Sequence, residues 1–166
     1  ELRYCRERRR GVNMKAIFVV GLIACGKSHY ANTIKEDDDL VIELGDIVRG
    51  LTQTETRTFD KNLDNLILKE CVKRCINTNA KRVIIVGPRS LELFHNLIDL
   101  FDHHEIHFVN VDESIREKRY NESQRAKDKH LSFIEASRKD WELGLFEIMS
   151  TLSRGGLGKY RVVEND

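Results

Sequence analysis

Gly21, Gly26, Lys27 and Ser28 are the residues of this 166-residue chain whose types and spacing most directly imply chemistry. They stand in Gly21-Leu22-Ile23-Ala24-Cys25-Gly26-Lys27-Ser28, which fits G-x-x-x-x-G-K-[ST]. Two glycines let a short loop adopt turns that a Cβ forbids, so successive N–H groups can point inward at oxyanions. A helix starting at the loop would add the positive end of its dipole. Lys27 can reach the outer phosphates of a polyphosphate, and the Ser28 hydroxyl can ligate Mg2+. The competing reading is an ordinary glycine turn that matches by chance.

The flanking sequence favours the phosphate-binding reading, a P-loop. Ala16-Ile17-Phe18-Val19-Val20 precedes it as a buried parallel strand should, and His29-Tyr30-Ala31-Asn32-Thr33-Ile34 follows as a first helix. The expected nucleotide-contacting set is therefore Gly21, Ala24, Cys25, Gly26, Lys27, Ser28 and His29.

Further strands are expected at about 40–43, 82–86, 105–111 and 160–163. Phe59, Leu63, Leu66, Ile67, Cys71 and Cys75 describe one helix face, and Ser90 can cap a helix over 91–101 with Phe94, Leu97, Ile98 and Phe101 inward. His103-His104 reads as a turn, and residues 51–58 as a polar loop. Asp112 or Ser114 starts a charged helix. Ser132-Phe133-Ile134-Glu135 is a capping-box signature, and the helix after it should pack Ile134, Trp141, Leu145, Ile148 and Leu152. Strands alternating with helices predict an α/β fold, a doubly wound five-stranded parallel sheet. Ligands of such sheets bind beyond the carboxyl ends of the strands, where the loop, Asp46, Arg89, Asp112 and Asn165 all fall.

The length suits one domain, over 14–166. The net charge of +1 is uneven: residues 1–15 carry +4 and the remainder −3. The arm 1–13, with Arg8-Arg9-Arg10, reads as a disordered extension or as sequence upstream of a natural start at Met14; contact with nucleic acid is the alternative. No apolar run approaches the roughly 20 residues of a membrane span, and the first fourteen residues lack a signal-peptide core. Cys5, Cys25, Cys71 and Cys75 form no metal motif and suit a reducing, cytoplasmic setting. His103, His104 and His107 read as turn and strand residues rather than as metal ligands.

In this order the chain resembles the P-loop nucleoside-monophosphate kinase superfamily, and more narrowly dephospho-coenzyme-A kinases and archaeal adenylate-kinase-like proteins. The resemblance covers about residues 14–166 and rests on four further stretches. In Val41-Ile42-Glu43-Leu44-Gly45-Asp46-Ile47-Val48-Arg49, an aspartate lies nineteen positions past Lys27. The resemblance implies that Asp46 faces the acceptor, accepting its hydroxyl proton or helping to hold Mg2+, and that Arg49 binds the acceptor; a helix cap and a surface arginine are the plainer readings. In Val83-Ile84-Ile85-Val86-Gly87-Pro88-Arg89-Ser90, Arg89 would contact a phosphate or the transition state. That strand ends without the Walker B carboxylate common in P-loop enzymes, so the metal would rest on Ser28, phosphates, water and Asp46. Residues 114–132 match a small helical lid whose arginines close over the γ-phosphate; Arg119 and Arg125 are the candidates ahead of Arg116, against a solvated charged helix. Val162-Val163-Glu164-Asn165 matches the last strand, which would bring Asn165 near the adenine.

The leading expectation is an ATP- and Mg2+-dependent phosphotransferase acting on a nucleotide or nucleotide-like small acceptor, with Lys27, Asp46, Arg89 and Arg119 in catalytic roles. A kinase acting on nucleic acid would use the same parts, and the acidic remainder of the chain argues against it. A non-catalytic nucleotide-binding switch is the third reading, and the missing Walker B carboxylate supports it.

Overall fold

β-Branched apolar runs bury both faces of a strand, and such runs form the centre of this protein. In the computed structural model, which describes residues 14–52, 61–123 and 130–165, five strands form one sheet. They are β1 (Lys15–Gly21), β2 (Leu40–Glu43), β3 (Arg82–Val86), β4 (His103–Asn110) and β5 (Arg161–Glu164). All pairings are parallel, in the order β2-β3-β1-β4-β5. The helices are α1 (Lys27–Ile34), α2 (Leu44–Thr52), α3 (Lys61–Ile76), α4 (Leu91–Ile98), α5 (Glu113–Glu122), α6 (Phe133–Asp140) and α7 (Phe146–Ser153).

Alternation along β1 divides the core. Ala16, Phe18 and Val20 pack with Ile67 and Cys71 of α3, Phe94 and Leu97 of α4, and Ile148 of α7. Ile17 and Val19 face the other way, onto Tyr30 and Ala31 of α1 and Ile115 of α5. Helices therefore cover both faces, as a doubly wound sheet requires. Burial pushes the Cys71 thiol up to about 12 and the Cys75 thiol up to about 11, so both behave as apolar core residues.

Register aligns the strand ends. Gly21 lies opposite Val109, Val19 opposite Val86, Glu43 opposite Val86 and Asn110 opposite Glu164. The loop after β1, the start of α2, Gly87 to Arg89, Asp112 and Asn165 thus share one edge of the sheet. β1 lies between β3 and β4 in that sheet, so the loop emerges at the point where the strand order reverses.

Four sequence expectations need correction. His103 and His104 belong to β4, because they pair with Lys15 and Ala16. The Ser90-capped helix ends at Ile98, and Leu93 is among its buried residues. Leu66 is 48% exposed, turned away from the face that Leu63, Ile67, Cys71 and Cys75 bury. Ile134 and Trp141 are exposed, at 64% and 40%, while Phe133, Ala136 and Asp140 face inward. The last goes with a kink over Trp141–Leu145, where Gly144 leaves helical geometry at φ 143, so that α6 and α7 are separate helices whose faces need not stay in phase. Leu145, Ile148 and Leu152 are buried as expected. The arm 1–13 and Phe59 lie outside the described residues, and so does most of the loop expected at 51–58, whose first two residues end α2. Among the described residues no helix is long and apolar enough to cross a membrane.

Candidate functional site

Two glycines shape the loop between β1 and α1 for different reasons. A Cβ on Gly21 would lie 2.6 Å from Cys25 Sγ and 2.9 Å from the Val109 carbonyl oxygen, so only glycine lets the strand end pack this closely. Gly26 has φ +84, and a Cβ there would also meet Asn165 Nδ2 at 2.7 Å. Between them the Cys25 amide donates to the Leu22 carbonyl at 3.3 Å, Ala24 is left-handed at φ 58, and the Cys25 side chain is fully buried.

Gly26 caps α1 without a side chain, and the first turn holds no acidic residue. Gly26 thus offers the leading N–H groups of that helix no side chain of its own, and no carboxylate of the helix's first turn offsets the positive end of its dipole. Lys27 Nζ donates to the Gly21 and Leu22 carbonyls, both at 3.2 Å, and lies 3.8 Å from Cys25 Sγ. Ser28 and His29 are exposed.

The outer side of the loop is held from α5 and β5. Arg119 Nη1 donates to the Cys25 carbonyl at 3.3 Å and Nη2 to the Asn165 carbonyl at 2.9 Å. Asn165 Nδ2 donates to the same Cys25 oxygen at 3.1 Å, and its backbone amide continues the pairing with Asn110. Arg116 is buried, donating from Nη1 to the Ile23 carbonyl and from Nε to the Val111 carbonyl. Gly21, Ala24, Cys25, Gly26, Lys27, Arg119 and Asn165, drawn from three separate stretches, are thus brought together.

The β2 and β3 ends supply the other half. α2 follows β2 without a loop, which puts Asp46 in its first turn, 61% exposed and ion-paired to Arg49 one turn on. Arg89 follows β3, two residues past Gly87, where a Cβ would lie 3.9 Å from Lys27 Cε. Arg89 Nη1 donates to Asp140 Oδ1 at 3.1 Å. Asp140, the last residue of α6, is 8% exposed. Sequence reasoning did not single it out as a site residue; its burial follows from the inward face that it shares with Phe133 and Ala136. Ser90 Oγ donates to Asp64 of α3 and accepts from the Leu93 amide, which anchors this turn. Arg125 lies outside the described residues.

Beneath the loop, a polar chain crosses the sheet face. Tyr30 OH lies 2.7 Å from His107 Nδ1, His107 Nε2 lies 2.9 Å from Glu105, and Glu105 accepts from Lys15 at 2.8 Å. A neutral imidazole satisfies both contacts, its Nε2–H donating to the carboxylate and its Nδ1 accepting from the tyrosine. The Lys15 and His107 hydrogen bonds hold Glu105 down to about 2.

No family model matches the chain. In fold it is similar to a chain in the structure of the Pnkp1/Rnl/Hen1 RNA repair complex, with a TM-score of 0.60 and 16% identity. That match covers 85% of this chain and 46% of the other. In sequence it is 31% identical over 155 residues to UPF0200 proteins of Saccharolobus islandicus and Saccharolobus solfataricus, covering 84% of this chain and 81% of each relative. By that likeness the chain belongs to the UPF0200 family.

Proposed function

We propose that this protein is an ATP-dependent phosphotransferase that moves the γ-phosphoryl of MgATP to a nucleotide or nucleotide-like small acceptor. The observation that carries the reading is the loop at Gly21–Ser28. It lies at the reversal point of the sheet and opens onto a helix start with no side-chain cap and no acid in its first turn, and Lys27 folds over it. A polyphosphate placed there would meet amides, a helix dipole and an ammonium group together.

The residues divide into roles. The loop amides, Lys27 and Arg119 would bind and neutralise the transferring phosphoryl group, and Asn165 would hold the Cys25 end of the loop. Arg89 and Arg49 would orient the acceptor, with Asp46 aligning or deprotonating an acceptor hydroxyl. Among the described residues no three His, Cys, Asp or Glu groups converge as a metal cage. The donors at hand, the exposed Ser28 hydroxyl and the exposed Asp46 carboxylate, suit Mg2+, which keeps several waters and takes most other ligands from phosphate. Bound there, it would supply charge neutralisation on the phosphate oxygens.

The test is ADP production from MgATP across a panel of acceptors: ribo- and deoxynucleoside monophosphates, dephospho-coenzyme A and 5′-hydroxyl oligonucleotides. Turnover that depends on a small acceptor and is lost in Lys27→Ala is expected. Turnover with the oligonucleotides alone would move the acceptor class to nucleic acid. ATP binding with no acceptor-dependent turnover would overturn the kinase reading in favour of a switch.

A further inference from the structure

Arg116 is the buried cation of the described residues that the proposed reaction leaves unused. It is 8% exposed, and among the described residues no carboxylate pairs with it. Its guanidinium instead joins three structures. Nε donates to the Val111 carbonyl at the end of β4 (3.3 Å), and Nη1 donates to the Ile23 carbonyl inside the loop (3.4 Å). The guanidinium carbon lies 5.5 Å from the centre of the Phe133 ring of α6.

The same place carries an apolar contact. Ile23 and Ala24 pack against the cluster of Tyr120, Phe133 and Ala136, so the middle of the loop rests on the α5–α6 pair. Ala24 sits at φ 58, a left-handed conformation that a residue with a Cβ adopts only when its surroundings hold it. The Ile23 carbonyl belongs to the peptide unit that leads into Ala24. A hydrogen bond from a charged donor to that oxygen fixes the plane of the unit, and with it the direction of the Ala24 N–H. Tyr120 OH donates to the Leu131 carbonyl at 2.9 Å, closing the α5–α6 pair around the arginine.

We infer that Arg116 is a positioning residue for the loop: it acts through the Ile23 peptide to hold the phosphate-binding conformation, and it couples that conformation to the seat of α5 and α6. This rests on the reading of Gly21–Ser28 as a phosphate site. It differs from the lid role considered for Arg119, because the Arg116 guanidinium is buried and covered by the Phe133 ring, whereas Arg119 is only partly buried.

The experiment compares MgATP with adenosine in wild type, Arg116→Met and Arg116→Lys, by displacement of a fluorescent ATP analogue, with thermal melts alongside. A misdirected loop weakens phosphate binding and leaves the nucleoside alone. Arg116→Met should bind MgATP about tenfold more weakly, as loss of a charge-assisted hydrogen bond implies, with adenosine unchanged. Arg116→Lys should recover part of the loss, because an ammonium can still reach one carbonyl. Equal losses for both ligands, or none, would overturn the inference and leave Arg116 a support of the fold. If Arg116→Met does not fold, Arg116→Gln carries the same comparison: a loss confined to MgATP supports the inference, and equal losses or none overturn it. A wild-type chain that binds adenosine as well as MgATP fails at the phosphate reading itself, which separates that failure from failure of the arginine's role.

Discussion

The two halves of the site treat their cations differently. At the ends of β1, β4 and β5, Arg116 and Arg119 donate to backbone carbonyls, as Lys27 also does. At the ends of β2 and β3, Arg49 and Arg89 pair with the carboxylates of Asp46 and Asp140. A carbonyl satisfies a donor without cancelling its charge, whereas a carboxylate cancels it. Among the described residues the Arg116 and Arg119 charges are therefore left uncancelled, whereas Arg49 and Arg89 are each matched by a carboxylate. On the proposed reading, a polyphosphate would bind at the first half. The second suits a partner that must be oriented, and a carboxylate such as Asp46 can also receive a proton there.

Substitutions can break this contrast. The largest effect is expected from Lys27→Ala, which removes a charge no other side chain replaces; turnover should fall about a hundredfold or more, measured as steady-state ADP release. Next is Arg89→Ala, which strands the largely buried Asp140. A loss of about 2–3 kcal/mol in urea denaturation is expected, below the fully buried value because the two side chains keep 22% and 12% exposure. Arg89→Ala with Asp140→Ala should recover part of that loss, and a strictly additive double variant would refute the pairing. Asp46→Asn sharpens the contrast from the other side. Its pair is exposed, so stability should change by less than about 1 kcal/mol while acceptor-dependent turnover falls. A large stability loss with unchanged turnover would make Asp46 structural.

The smallest effect lies beneath the loop. Glu105 is held down to about 2 from 4.5, so its contribution is full above pH 4.5 and is lost as the pH falls toward 2. Denaturation of wild type and Glu105→Gln at stepped pH should show curves that are apart at neutral pH and converge in acid. A gap independent of pH would assign the effect to packing rather than ionisation.

Much of this arrangement was legible in the residues. The spacing of Gly21, Gly26, Lys27 and Ser28 needs no partner to be recognised, because backbone turns and helix starts are local. Apolar runs place five strands in order, and their common direction follows from the helices between them. Ser90 and the Ser132–Glu135 box mark helix starts for the same local reason, and both caps form. The sequence by itself thus determined the fold class, the loop and the strand ends at which charged residues gather.

Tertiary structure decided which charges meet. Asp140 finds Arg89 across 51 positions of chain, and Asn165 reaches Cys25 across 140, contacts that no local pattern encodes. Arg116 and Arg119, three residues apart, share one face of α5 and both reach the loop, yet one is buried over Phe133 of α6 and the other lies beside Asn165 after β5, a difference set by which element covers each end of that face. The kink at Trp141–Leu145 likewise breaks the single helix that hydrophobic spacing would carry from Ile134 to Leu152, and Ile134 and Trp141 lie exposed.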